Sequence, residues 1–332
     1  MKVAISTIPD GYKWLGNLFG MKGSGNQGLG QLETFLLQND EWALLFRTEA
    51  SFHFLMLKYY VNNEKEEVFE YMRMHNLDVK NNHLFTYLAV NLSINSQQSA
   101  RAEKIIREKN NSDEYLQTSL WDLETGYAKM NHLDDKAEGF FKNYLDHFKG
   151  KYYLKDVLYK LSLYYYLKGD QDNADHYRSL VLKSGNTIAE ADQLALREVK
   201  AGEWPDKLLL KARLLNDGGY YHEALILLQG KQMSDFKKEE QKIEFAYRVG
   251  RLYDDLQRDN EAVTFYRQVV VMGEKRKEYF AARSALQLAF IAEQQGDKKQ
   301  AAYWFNRCLG MKGHDFKNSL DQKAKAGLVR VG

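Results

Sequence analysis

Gln294-Gln295-Gly296-Asp297, followed by Ala301 and Phe305, is the stretch whose reading decides the fold. Glycine accepts the left-handed conformation just past a helix end, and aspartate caps the helix that follows by accepting from its first-turn N–H groups. Five residues after the glycine stands an alanine, where two helices of a hairpin come closest and a larger side chain would hold them apart. The same grammar recurs at Leu167-Lys168-Gly169-Asp170, followed by Ala174 and Tyr177. Each stretch predicts helix, tight turn, helix.

Further units carry parts of the pattern: Gly250, Tyr253, Ala262 and Tyr266; Ala212, Gly219, Ala224 and Leu228; Ala128, Ala137 and Phe141; and, more weakly, units centred on Ala102 and Val68. The alanines Ala137, Ala174, Ala224, Ala262 and Ala301 are 37, 50, 38 and 39 residues apart. The pattern resembles the tetratricopeptide repeat, whose period is about 34 residues. That resemblance implies an all-α, right-handed superhelical solenoid of antiparallel helical hairpins. Composition agrees with it. Pro9 and Pro205 are the only prolines, and the apolar spacing after Leu29, as in Ala285, Leu288, Ala289 and Ala292, is that of amphipathic helices. The interval of 50 leaves room for an extra helix near 187–202, and Asp315–Leu328 reads as a capping helix with Phe316, Leu320, Ala324 and Leu328 on one face. The expected organisation is a glycine-rich opening segment at 1–30, a hairpin array at 31–314, and a cap and tail at 315–332.

Seven of the 23 glycines fall between Gly11 and Gly30. Within this opening, Pro9-Asp10-Gly11-Tyr12, Trp14-Leu15-Gly16, Phe19-Gly20, Gly28-Leu29 and Leu32 resemble the start of the tetratricopeptide repeat protein 39 family. That family includes fungal mitochondrial outer-membrane and inclusion-body-clearance proteins. The narrower resemblance implies a role in protein or lipid-droplet handling without an enzymatic step.

Several function classes lose support from the residues themselves. The 47 basic and 45 acidic residues are interleaved, so no basic stripe marks a nucleic-acid binder. No run approaches the roughly 18 apolar residues of a membrane span. The first residues are too weakly apolar for a signal peptide. The single cysteine, Cys308, falls on an apolar helical face and reads as packing; it leaves the compartment open between cytoplasm, slightly favoured, and a periplasmic or membrane-peripheral location reached with a trimmed signal. Gly23-Ser24-Gly25-Asn26-Gln27-Gly28 spells a dinucleotide fingerprint but lacks the strand that must precede it, and reads as a turn feeding a helix. His53, His75, His83 and His222 stand in no metal-binding spacing. The pairs Asp134-Asp135 and Asp254-Asp255 read as caps and solvated faces. No catalytic residue, cofactor or metal is implied, and the chain reads as a non-enzyme.

What remains is a surface. In this architecture the first helix of each hairpin lines the concave side, and counting back from the alanines places Tyr159, Leu163, Tyr166, Arg213, Tyr247, Arg251 and Phe290 there. Tyrosine and arginine are favoured at binding hot spots. The cluster Tyr152, Tyr153, Tyr159, Tyr164, Tyr165 and Tyr166 adds to this lining, although Tyr159 and Tyr165 also suit packing between hairpins. Asp122, Lys160, Leu210 and Gln287 stand where a clamp for chaperone C-terminal carboxylates would need lysines and asparagines, so that mode is set aside. The expected function is a scaffold holding a protein or peptide partner; the alternative is a carrier of lipid or another small ligand in an aromatic-lined cavity.

Overall fold

The computed structural model describes residues 25–62 and 64–332. The fingerprint at Gly23 and most of the glycine-rich opening begin outside the described residues. Among those described there is no strand, and their regular elements are all helices; the chain divides into two compact units, one ending at Leu196 and the other Arg197–Gly332.

The first unit contains α1 (Gly25–Leu37), the short α2 (Glu41–Leu45), α3 (Arg47–Leu57) running into a π turn at Lys58–Asn62, α4 (Lys65–Met74), α5 (His83–Asn95), α6 (Ser99–Glu108), α7 (Leu120–Asn131), α8 (Ala137–His147), α9 (Leu154–Lys168) and α10 (Gln171–Lys183). A further helix, α11, occupies Glu190–Ala201. The second unit contains α12 (Lys207–Gly218), α13 (Tyr221–Leu228), a 3-10 turn at Met233–Asp235, α14 (Glu239–Asp255), α15 (Asp259–Gly273), α16 (Phe280–Gln294), α17 (Lys298–Gly310) and α18 (Lys317–Val331). Within each unit consecutive helices pair as antiparallel hairpins. The first helices also pack on one another, α3 on α5, α5 on α7 and α7 on α9 in one unit, α12 on α14 and α14 on α16 in the other.

The alanine grammar explains the packing. Ala102, Ala137, Ala174, Ala224, Ala262 and Ala301 are all fully buried, as is Val68 at the equivalent place in α4. At the turns Gly169 and Gly296 adopt φ of 83° and 78°, and the side chains of Asp170 and Asp297 accept from Asn173 N and Gln300 N at 3.1 and 2.9 Å. Three hairpins make the same left-handed turn without glycine, at Gln97, Leu133 and Gln257, with φ of 60°, 57° and 57°. The missing glycine at Gln97 is why the unit centred on Ala102 is faint in the sequence.

The approach is close at Gly126 of α7, where a Cβ would stand 2.6 Å from the Phe141 ring of α8, and closer still at Gly327 of α18, where it would meet the Phe305 ring of α17. Phe141, Tyr144, Tyr266 and Phe305 fill the space between paired helices with no exposed surface, and Cys308 is buried beside Phe305. Burial pushes the Cys308 thiol up to about 11, so it stays protonated and packs as a small apolar group.

Candidate functional site

The row of first helices in the second unit carries a compact network of arginines and carboxylates. Arg251 of α14 donates from Nη1 to Asp217 Oδ1 of α12 at 2.7 Å, and its Nε lies 3.7 Å from Asp255 Oδ2. Asp255 also accepts from Asn216 Nδ2 at 2.6 Å. Arg248 is buried, donates twice to Glu244 Oε1 at 3.1 and 2.8 Å, and stands over the Tyr247 and Phe280 rings at 5.3 and 5.7 Å. Desolvation pushes the Asp217 carboxyl up, but Arg251, Arg248 and Arg213 more than offset it and hold it below the usual range. Asp217 nevertheless keeps 40% of its side chain open to water. Arg213 and Arg283 reach this field while forming no hydrogen bond or ion pair among the described residues. They are the half-buried cations left over when the neighbouring carboxylates are satisfied.

The first unit presents a different surface. Glu124 of α7 is 3% exposed and accepts from Asn91 Nδ2 of α5 at 3.1 Å; Asn91 in turn accepts from the Tyr60 hydroxyl of the π turn at 2.7 Å. Tyr87, Tyr127 and Tyr153 also lie close enough to feel the Glu124 charge. Tyr127 donates to Asp156 Oδ2 at 2.7 Å. Desolvation pushes Glu124 up to about 7, slightly offset by the Asn91 hydrogen bond, and it raises Asp156 as well. The surrounding phenols are raised by the same burial and stay neutral.

The start of α9 is held by a residue distant in sequence. Asp192, fully buried on α11, accepts from Tyr153 N at 2.7 Å and from Asp156 N at 3.1 Å. These are first-turn donors that a helix leaves unsatisfied. The bond to Tyr153 sits at a left-handed residue, φ 59°, a conformation a bulky side chain adopts only when its surroundings impose it.

Residues 243–270, which cover most of α14 and α15, match the family model described as tetratricopeptide repeat. The chain carries a tetratricopeptide repeat at this place in its row of helical hairpins. No curated protein matches the sequence, so the narrower resemblance of the opening segment to the protein 39 family gains no support.

Within the array, the residues expected in the groove separate into three groups. Arg213 and Arg251 stand together on the arginine field, and Tyr247 lies beneath them at 4% exposure, packed against Tyr279 and Phe280. Phe290 is half-buried with its ring edge-on to Phe305 at 5.6 Å. On α9, Tyr166 is half-buried, whereas Tyr159 is 8% exposed and Leu163 not at all. Leu163 therefore has no groove surface to offer; it belongs to the core because α9 is covered on more of its circumference than a single apolar stripe. Of the tyrosine cluster, Tyr165 stacks on Tyr177 and accepts from Lys142 Nζ at 3.0 Å, Tyr164 reaches the Asp135 carbonyl, and Tyr153 faces Glu124.

The reading of Asp254-Asp255 as a solvated face is corrected by the structure. Asp254 accepts from Tyr266 and from Gln287 Nε2, each at 2.9 Å, and burial raises its pKa; Asp255 is tied to Arg251 and Asn216. Asp134 does act as a turn cap, accepting from Lys136 N at 2.9 Å. Glu124, Asp156, Arg248 and Arg283 escaped the sequence reading; Asp156 and Arg248 had a local signal, each lying one helical turn from a residue already chosen, Tyr159 and Arg251. Among the described residues no group of three or more His, Cys, Asp or Glu could hold a metal ion, and no helix is long and apolar enough to cross a membrane.

Proposed function

We propose that this protein is a scaffold that holds a protein segment along its first helices and performs no chemical step on it. The observation that carries the reading is the pair Arg213 and Arg283, half-buried and left without an ion-pair partner among the described residues, Arg213 acting on Asp217 and Arg283 on Tyr247, which packs against Tyr279. Arginine and tyrosine in a partly desolvated recess are what binding hot spots are made of, and a guanidinium with unused donors takes a carboxylate in bidentate fashion. The segment bound by the second unit is therefore acidic.

The double variant Arg213→Ala/Arg283→Ala breaks no hydrogen bond among the described residues, so the fold should survive, as circular dichroism will show. Proteins captured from the native cell by the wild type should be lost at least tenfold with the variant, and capture should weaken at raised salt. Undiminished capture by a folded double variant would sink the reading.

A small apolar ligand is the second reading. It is favoured by a pocket of about 610 Å3 in the second unit, lined by Leu225, Leu228, Met233, Phe245, Val249 and Phe265. Solvent extraction of the purified protein followed by mass spectrometry decides it, since one bound lipid per chain would replace the scaffold reading with that of a carrier.

A further inference from the structure

Glu124 is costly to the fold as it stands. A carboxylate 3% exposed has surrendered its hydration, and its compensation among the described residues is one amide hydrogen bond from Asn91. Among the described residues no cation pairs with it. Nor do the neighbours supply one: Tyr127 and Tyr153, which feel Glu124, also feel Asp156, 7% exposed, and Lys160 is the cation that acts on Asp156. A group with only a packing role would be better replaced by an apolar side chain of its size, because burying a charge without a partner costs more than any single contact returns.

The surroundings suit a guest. Tyr60 and Tyr153 keep 50% and 36% of their surface exposed, so two of the phenols that feel the Glu124 charge reach solvent. Tyr60, Tyr87, Tyr127 and Tyr153 bring neutral hydroxyls to the Glu124 charge, and each hydroxyl oxygen can accept from an N–H donor. The site is also built rather than incidental. The π turn at Lys58–Asn62 carries Tyr60 to Asn91, and Asp192 fixes the strained backbone that carries Tyr153.

We infer that this recess accepts the ammonium or guanidinium of a lysine or arginine side chain from the bound protein segment, with Glu124 as its counter-ion and the four tyrosine hydroxyls as its hydrogen-bond acceptors. The inference rests on the scaffold reading and assigns the first unit a preference for basic side chains. A divalent metal is the poorer guest, because the described residues gather no third carboxylate, histidine or cysteine and neutral phenols are weak ligands for hard cations. A long flexible stem with a charged tip, by contrast, can bury its methylenes against the tyrosine rings while its head reaches Glu124.

Burial puts Glu124 near 7, and the titratable and charged groups facing it are Tyr60 from the π turn, Tyr87 from α5, Tyr127 from α7, and Tyr153, Asp156 and Lys160 from in and beside α9, with Asp192 from α11 behind them. A cation should therefore bind more tightly at pH 8 than at pH 6, when Glu124 is ionised.

The test uses full-length protein carrying 13C-labelled tyrosine, titrated with N-acetyl-lysine methylamide, N-acetyl-arginine methylamide and, as the uncharged control, N-acetyl-norleucine methylamide. Saturable shifts of the Tyr60, Tyr87, Tyr127 and Tyr153 resonances are expected with lysine or arginine and not with norleucine. Glu124→Gln, which keeps the shape and the link to Asn91, should weaken the effect at least tenfold and remove its pH dependence. Equal shifts with norleucine, undiminished binding by Glu124→Gln, equal competition by calcium ions, or no shift with either basic probe would each overturn the inference. Capture of native partners separates the two levels: if Glu124→Gln retains them fully while Arg213→Ala/Arg283→Ala loses them, the cation recess falls and the scaffold stands.

Discussion

At the scale of the residue, Glu124 and the signature alanines are opposites in what they reveal. Ala174 and Ala301 are legible because their neighbours in sequence, Gly169-Asp170 and Gly296-Asp297, define the turn that makes them close-contact positions. Glu124 has no such neighbours. Its burial and its partner Asn91, 33 residues away, are set by how α5 lies on α7. Its ionisation should be visible in stability. The folded state keeps the Glu124 proton up to about pH 7, while the unfolded chain has released it from about 4.5, so the folded state binds more protons across that window. Stability contributed by this group is then fully present below pH 4.5 and declines as pH rises to 7, by roughly 3 kcal/mol at about 1.4 kcal/mol per pH unit. Glu124→Gln should accordingly raise stability at pH 8 and flatten the profile; denaturant unfolding at pH 5 and pH 8 checks both.

At the scale of the element, turns and caps decide which helices the sequence announces. Gln257 is exposed and holds φ 57° where the parallel hairpin has Gly296, so the turn is imposed by packing against the preference of the residue. Gln257→Gly should relieve that strain and stabilise the protein by about 0.5–1 kcal/mol, read as an upward shift of the denaturation midpoint. The cap of α9 belongs to the other extreme, because Asp192 reaches it from 36 residues away. Asp192→Ala would leave two first-turn N–H donors unsatisfied and release the left-handed Tyr153. The expected cost is about 2–3 kcal/mol, with hydrogen exchange accelerating first in residues 153–160.

At the scale of the whole molecule, helix contacts run between sequence neighbours within each of two units, so disturbances should stay local. Ala137→Leu forces a larger side chain into a fully buried position between α7 and α8 and should cost about 1–3 kcal/mol or more. Amide protection should fall across α5–α10 while α14–α17 keep theirs; a uniform loss would show that the array unfolds as one cooperative block.

The sequence by itself determined the all-α hairpin architecture, because helix-turn-helix geometry is written in local residues: a glycine or aspartate at the turn, an alanine at the crossing, an aromatic to fill the gap. It also reached Arg213 and Arg251, which follow from the helical period once the alanines are set. Only the tertiary structure decided which charges are paired and which are left over, and which chosen residues lie in the core. It moved Leu163 into the interior, joined Asp254 to Tyr266 and Gln287, satisfied Arg251 with Asp217, and left Arg213, Arg283 and Glu124 outside any ion pair among the described residues. The reason is that desolvation and Coulomb energy depend on what several helices bring to one point. No window of sequence contains that sum.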